Sequence, residues 1–92
     1  MISDLDLITR IMNKEKDALT LLYDQYDTHL YRIAVNMGFD EAVIEATITD
    51  FYRTIWRSPD ILLSKKTLSY TMTHLYIEIC LKRDKNKKAI TV

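Results

Sequence analysis

Apolar residues recur at three- and four-residue intervals along most of the chain, which is the spacing of one face of an α-helix. The pattern predicts a short helix at about 4–12 and longer helices at 14–37, 41–57 and 65–83. A strand within 71–81 is an alternative, because the isoleucines and threonines there lower helix propensity. The pattern favours an all-α fold, a compact bundle of one short and three long helices.

Residues that begin or end helices lie between these stretches. Ser3 or Asp4 can cap the first helix. Gly38 follows the second helix, where a left-handed residue commonly ends a helix. Phe39 and Asp40 then have the character of a hydrophobic staple residue and an N-cap for the third helix.

Composition agrees with helices. One glycine and one proline in 92 residues are too few for the turns that a sheet needs. The length predicts a single domain over residues 1–92, with a basic, frayed tail at 84–92. No apolar run is long enough for a membrane span, and the lone Cys80 cannot form an internal disulfide. We therefore expect a cytoplasmic protein that does not enter a membrane.

Charge is unevenly distributed although the formal net charge is zero. Residues 1–50 hold ten acids and four bases, a balance of −6. Residues 51–92 hold three acids and nine bases, a balance of +6. This polarity predicts one surface for a basic partner and another for a polyanion, unless both faces are merely solvated.

Four segments carry a family resemblance. They are LITRI at 7–11, ALTLLYDQY at 18–26, LYRIA at 30–34 and FYRTIWRSP at 51–59. In order and spacing they resemble region 2 of bacterial extracytoplasmic-function sigma factors, the domain that binds RNA polymerase core and melts promoter DNA.

The resemblance implies that the polar face of the third helix binds a coiled coil on the largest subunit of RNA polymerase core. The residues implied are Ala46, Thr49, Asp50 and Arg53. The family carries an acidic residue, a glutamine and an acidic residue where this chain has Ala46, Thr49 and Asp50, so only Asp50 keeps its chemical type. The family's tryptophan at the start of the fourth helix corresponds to Thr67.

Basic and aromatic residues around the fourth helix are candidates for binding single-stranded promoter DNA, which needs cations for phosphates and rings for bases. The candidate residues are Lys65, Lys66, Tyr70, His74, Lys82, Arg83 and Lys85. Tyr76 is a second candidate stacking ring. His74 is expected to contact a base or phosphate, since without a paired acid or cysteine it is not a metal ligand or general base. The other interpretation is a solubilising tail with buried tyrosines.

Catalysis is not expected. The chain has no glycine-rich phosphate loop, no nucleophile elbow and no paired catalytic carboxylates, and it suggests no cofactor and no metal. Trp56 is expected to pack at the end of the third helix, and Cys80 to be a buried, inert thiol.

The resemblance thus implies a sigma-like transcription module, acting as part of a longer factor or with a separate region-4-like subunit. A second hypothesis is a regulator that binds a sigma or anti-sigma factor without touching DNA. The replacements at Ala46, Thr49 and Thr67 favour the regulator, whereas the basic carboxyl end favours DNA binding. A helical module with chance similarity is the third hypothesis.

Overall fold

The computed structural model describes the backbone of residues 3–91 and the side chains of residues 3–83. The elements follow in the order α1 (Asp4–Met12), α2 (Lys16–Asn36), α3 (Glu41–Arg57), a 3₁₀ turn (Pro59–Leu62) and α4 (Leu68–Thr91). Within residues 3–91 there is no strand. The predicted all-α bundle of one short and three long helices is confirmed.

Local sequence accounts for most helix starts. Ser3 caps α1, with its hydroxyl accepting a hydrogen bond from the Asp6 amide at 3.1 Å. Asp40 caps α3 through a bond from the Val43 amide at 2.9 Å. The predicted caps at both helices are therefore confirmed, because each short polar side chain satisfies an amide that the helix leaves unpaired.

Two left-handed residues close the first two helices. Gly38 has a φ of +82°, and a Cβ there would meet no atom within 4 Å, so glycine is favoured by backbone conformation alone. Lys14 adopts a φ of +64° after α1, although it carries a side chain. Because Lys14 takes this conformation, α2 begins at Lys16 and not at residue 14 as predicted.

The fourth helix differs from the prediction at both ends. It begins at Leu68 because the Thr67 hydroxyl accepts a bond from the Tyr70 amide at 3.1 Å and acts as the cap. It continues to Thr91, since neither glycine nor proline interrupts residues 84–91. The predicted fraying of the tail 84–92 stays a prediction, because the side chains of this segment lie outside the described residues.

One hydrophobic core joins all the elements. Helix α2 packs against α1 and α3, and α4 crosses onto α2, α3 and the 3₁₀ turn. The fully buried large side chains of this core include Ile11, Leu22, Leu30, Ile44, Phe51, Ile55, Leu62, Met72 and Tyr76. Phe39 is also buried, as the staple pattern predicted. The packing leaves one side of α3 and one side of α4 exposed.

Candidate partner and nucleic-acid interfaces

The predicted partner-binding residues share one side of α3, which we call the α3 face: Ala46, Thr49, Asp50 and Arg53. All four are exposed. Their spacing of three and four residues places them within about one third of the helix circumference. The opposite side of α3 carries the buried residues Ile44, Ile48, Phe51 and Ile55. A partner helix can therefore reach the α3 face without disturbing the core.

Asp50 on the α3 face is already paired within the chain. Its carboxylate accepts a hydrogen bond from the guanidinium of Arg83 on α4. Sequence reasoning assigned these two residues to different sites, Asp50 to a protein partner and Arg83 to DNA. The fold brings them together, because Arg83 lies on the side of α4 that turns towards α3.

A row of exposed side chains four residues apart, which we call the α4 row, begins in the loop before α4 and continues along the helix: Lys66, Tyr70, His74, Glu78 and Lys82. The Lys66 ammonium lies 5.7 Å from the centre of the Tyr70 ring. The Tyr70 and His74 rings are stacked, with centroids 5.9 Å apart and planes 7° from parallel. His74 Nε2 then lies 3.2 Å from a carboxylate oxygen of Glu78.

The α4 row corrects the description of His74 as lacking a paired acid. Glu78 lies four residues after His74, and residues four apart are neighbours on a helix surface. The pairing of His74 with Glu78 could therefore have been predicted from the sequence. Lys82 continues the row one turn further, whereas Arg83 is rotated away from it by a further 100°. Arg83 is therefore turned away from the exposed side of α4, unlike Lys82.

The other predicted nucleic-acid residues are two lysines before α4, Lys85 near its end and Tyr76 within it. Lys65 and Lys66 are exposed in the loop before α4, where the Lys66 amide donates to the Ser64 hydroxyl at 3.1 Å. The side chain of Lys85 lies outside the described residues.

Tyr76 is fully buried, so its prediction as a stacking ring is wrong. It falls on the inner side of α4 because it continues the buried series Leu68, Met72 and Cys80 at four-residue intervals.

Buried tyrosines and the cysteine have perturbed acidities. Burial raises the pKa of Tyr52 well above its ordinary value, and the carboxylate of Asp27 adds to the shift. Burial likewise raises the pKa of Tyr76, with Cys80 contributing. Burial also raises the pKa of the Cys80 thiol, which therefore remains protonated near neutral pH and is a weak nucleophile.

A groove between α2 and α3 was not anticipated from the sequence. We call it the α2–α3 groove; its volume is about 470 Å³. The residues that line it are Lys16, Leu19, Thr20, Tyr23, Thr49, Tyr52, Arg53 and Trp56. Two members of the α3 face, Thr49 and Arg53, thus border an aromatic depression. Helical spacing alone could not reveal it, because the groove depends on how two helices lie together.

Trp56 is half-buried at the end of this groove and packs against the core. The Lys14 ammonium lies 4.8 Å from the centre of the indole ring and also donates a hydrogen bond to the Trp56 carbonyl oxygen. Lys14 therefore stabilises the carboxyl-terminal end of α3, where carbonyl groups lack helical partners. The predicted packing role of Trp56 agrees with this position.

Two further features bear on function class. Within the part of the chain that the structure describes, no three His, Cys, Asp or Glu side chains gather as metal ligands would. The helices of the described segment also include none with the length and apolar character needed to cross a membrane.

Comparison with protein-family models, curated proteins and solved structures found no match to this chain. The sigma-factor resemblance therefore rests on the four sequence segments that carry it.

Proposed function

We propose that this chain is a sigma-like transcription module of the bacterial cytoplasm. It binds RNA polymerase core through the α3 face and single-stranded promoter DNA along the α4 row. The resemblance supplies the two activities, and the exposure of both surfaces is compatible with them. The observation that carries the proposal is the exposed, stacked pair of Tyr70 and His74, with lysines at both ends of the α4 row.

Exposed aromatic rings provide stacking surfaces in proteins that bind unpaired bases. Tyr70 keeps 54% of its surface exposed, although it is a large aromatic residue. A base can extend the Tyr70–His74 stack, and each base–aromatic contact contributes about 1–3 kcal/mol in proteins that bind single strands. Tyr70 and Lys82 are about 18 Å apart along the helix axis, so a strand that contacts both must follow α4.

Fluorescence anisotropy with matched single- and double-stranded oligonucleotides over a range of salt concentrations tests DNA binding. We expect a preference for single strands, since stacking needs unpaired bases. Engagement of Lys65, Lys66 and Lys82 predicts a slope of log affinity against log salt near about −2, at about −0.7 per neutralised phosphate. Tyr70→Ala should lower single-strand affinity by about fivefold or more.

The matched control replaces Lys16 and Arg53 by glutamine, which removes two positive charges away from the α4 row. This control should leave the affinity for single strands within about twofold. Equal affinity for single and double strands, or no effect of Tyr70→Ala, would refute DNA binding by the α4 row.

Polymerase binding is tested by pull-down of RNA polymerase core. Asp50→Lys combined with Arg53→Glu should abolish retention, because it rearranges charge on the α3 face without changing net charge. Asp24→Lys combined with Arg32→Glu makes the same exchange on exposed positions of α2 and serves as the control. Helical content should be unchanged in both variants, since all four residues are exposed and loss of the Asp50–Arg83 pair costs no more than about 1 kcal/mol. Retention of a folded Asp50/Arg53 variant would contradict the proposal.

A second candidate is a regulator that binds a sigma factor or an anti-sigma factor and does not bind DNA. The α2–α3 groove favours this candidate, because its aromatic lining beside Thr49 and Arg53 offers a protein-binding surface without the family's usual acidic residues. The anisotropy titration of DNA binding distinguishes the two candidates. The regulator should show no preference for single-stranded DNA and no effect of Tyr70→Ala.

A further inference from the structure

The α2–α3 groove combines apolar walls with positive charge at its rim. Leu19, Tyr23 and Trp56 form part of the walls. Lys16 stands at the first turn of α2 and Arg53 on α3, and both line the groove. Within the described residues, no carboxylate lies within 4.0 Å of either charged group. The groove therefore offers two cations that no carboxylate of the described residues neutralises.

The surrounding charges make this end of the molecule more positive. Lys14 lies over the ring of Trp56, and Arg57 is exposed one turn beyond Arg53. The nearby Asp50 is occupied by Arg83. Glu15 and Asp17 flank Lys16 in sequence and are exposed, but neither lines the groove.

The next depression along the two helices has the opposite character. It shares Tyr23 and Thr49 with the α2–α3 groove and is lined by the carboxylates of Asp27 and Glu45. Lys16 and Asp27 are about 16 Å apart along α2. A negatively charged occupant can therefore use only the first two or three turns beside Lys16 before it meets repulsion.

We propose that the α2–α3 groove binds a short acidic amphipathic helix of a protein partner. Two antiparallel helices joined by a tight turn leave a furrow, and a third helix can place its apolar side chains in such a furrow. Its apolar residues contact Leu19, Tyr23 and Trp56. Its carboxylates pair with Lys16 and with Arg53, whose guanidinium can hold a carboxylate through two hydrogen bonds.

This inference deepens the proposed partner-binding role of the α3 face and rests on it through Thr49 and Arg53. It changes the expected chemistry of the partner. The strongly acidic amino-terminal half predicts a basic partner from sequence. The groove instead carries two cations that are unpaired among the described side chains, and it therefore favours an acidic segment.

The test uses the full chain and two synthetic helical peptides of two to three turns. Both carry the same apolar stripe, with glutamates flanking it in one peptide and lysines in the other. Trp56 is the only tryptophan, so its fluorescence reports directly on the groove. We expect the glutamate peptide to change the emission saturably at low ionic strength, and the lysine peptide to produce no saturable change.

Lys16→Glu combined with Arg53→Glu should weaken the glutamate peptide by about tenfold or more, which corresponds to about 1.4 kcal/mol. Lys65→Glu combined with Lys66→Glu makes the same change of charge outside the groove and should have little effect. Lys16→Gln with Arg53→Gln provides a milder variant, and circular dichroism melting checks that all three remain folded.

Three results would overturn the proposal: no saturable response to the glutamate peptide, equal binding of the lysine peptide, or equal weakening by the Lys65 and Lys66 control. Neither polymerase nor DNA is present in this titration. Its failure is therefore distinguishable from a failed polymerase pull-down, which would count against the proposed function instead.

Discussion

Arg83 on α4 donates a hydrogen bond to the carboxylate of Asp50 on α3 and so links the two helices that carry the candidate interfaces. Both side chains remain partly in water, with 34% of Arg83 and 51% of Asp50 exposed. Solvent screening keeps such pairs weak, so their effect on stability is modest. The pairing matters more for DNA binding, because a guanidinium that is bonded to a carboxylate is less available to bind a phosphate.

The first prediction follows from this pairing. Arg83→Gln should leave the salt dependence of single-stranded DNA binding unchanged, whereas Lys82→Gln should reduce its slope by about 0.7. In a double-mutant cycle, Asp50→Asn and Arg83→Gln should couple by no more than about 1 kcal/mol in the free energy of unfolding. Anisotropy and urea denaturation measure the two quantities. Equal loss of slope in the two variants would show that Arg83 contacts DNA.

The helices were predictable because their signals are local. Apolar spacing gave each helix a buried side, and Ser3, Gly38 and Asp40 marked boundaries with the cap chemistry that helix ends require. The same local reasoning found the exposed side of α3. Fold class and the location of candidate faces therefore followed from periodicity.

The errors concern how residues lie relative to other elements. Lys14 takes a left-handed conformation while its amine reaches α3, a contact 42 residues away in sequence. Tyr76 was a candidate stacking ring, with burial as the alternative, because both sides of α4 are rich in aromatic and aliphatic residues. Only packing against α2 and α3 decides that Tyr70 is exposed and Tyr76 is buried. The α2–α3 groove is likewise a property of two packed helices.

The second prediction concerns Trp56. Because its indole is half-buried, Trp56→Ala should destabilise the fold by less than the roughly 3–5 kcal/mol typical of a fully buried tryptophan. Lys14→Met keeps the aliphatic part of the side chain and removes the ammonium, so it should cost about 0.5–1 kcal/mol through the lost cation–π contact. Loss of the hydrogen bond to the Trp56 carbonyl oxygen adds to this cost. Urea denaturation measures both changes. A cost for Trp56→Ala above about 5 kcal/mol would contradict partial exposure.

The third prediction concerns two buried hydroxyl groups. Within the described residues, the phenol oxygen of Tyr52 has no hydrogen-bond partner, and that of Tyr76 has beside it only the Cys80 thiol, which is a weak partner. A buried polar group left unpaired costs about 1–3 kcal/mol, so Tyr52→Phe and Tyr76→Phe should each raise the free energy of unfolding by about 1 kcal/mol. Tyr70→Phe is the matched control on an exposed ring and should change it little. Destabilisation by either buried substitution would show that the hydroxyl is in fact paired.

The last prediction concerns alkaline pH and the same two residues. Burial raises the pKa of Tyr52 and Tyr76 above the ordinary tyrosine value of about 10, so the folded protein keeps both phenols protonated where the unfolded chain ionises them. The stability that comes from these two raised pKa values is fully present below about pH 10. It is lost as the pH rises towards the folded-state pKa. Each tyrosine then lowers the free energy of unfolding by about 1.4 kcal/mol per pH unit.

Lysines also titrate in this range, so the informative quantity is a difference between proteins. The Tyr52→Phe, Tyr76→Phe double variant should lose stability less steeply than the parent between pH 10 and pH 11, by up to about 2.7 kcal/mol per pH unit. Replacing the exposed Tyr31 and Tyr70 by phenylalanine is the matched control and should not produce this effect, because neither side chain is buried on folding. Urea denaturation at each pH, with phenolate absorbance followed in parallel, supplies the comparison. Parallel pH profiles for the parent and the double variant would show that the two phenols ionise in the folded protein.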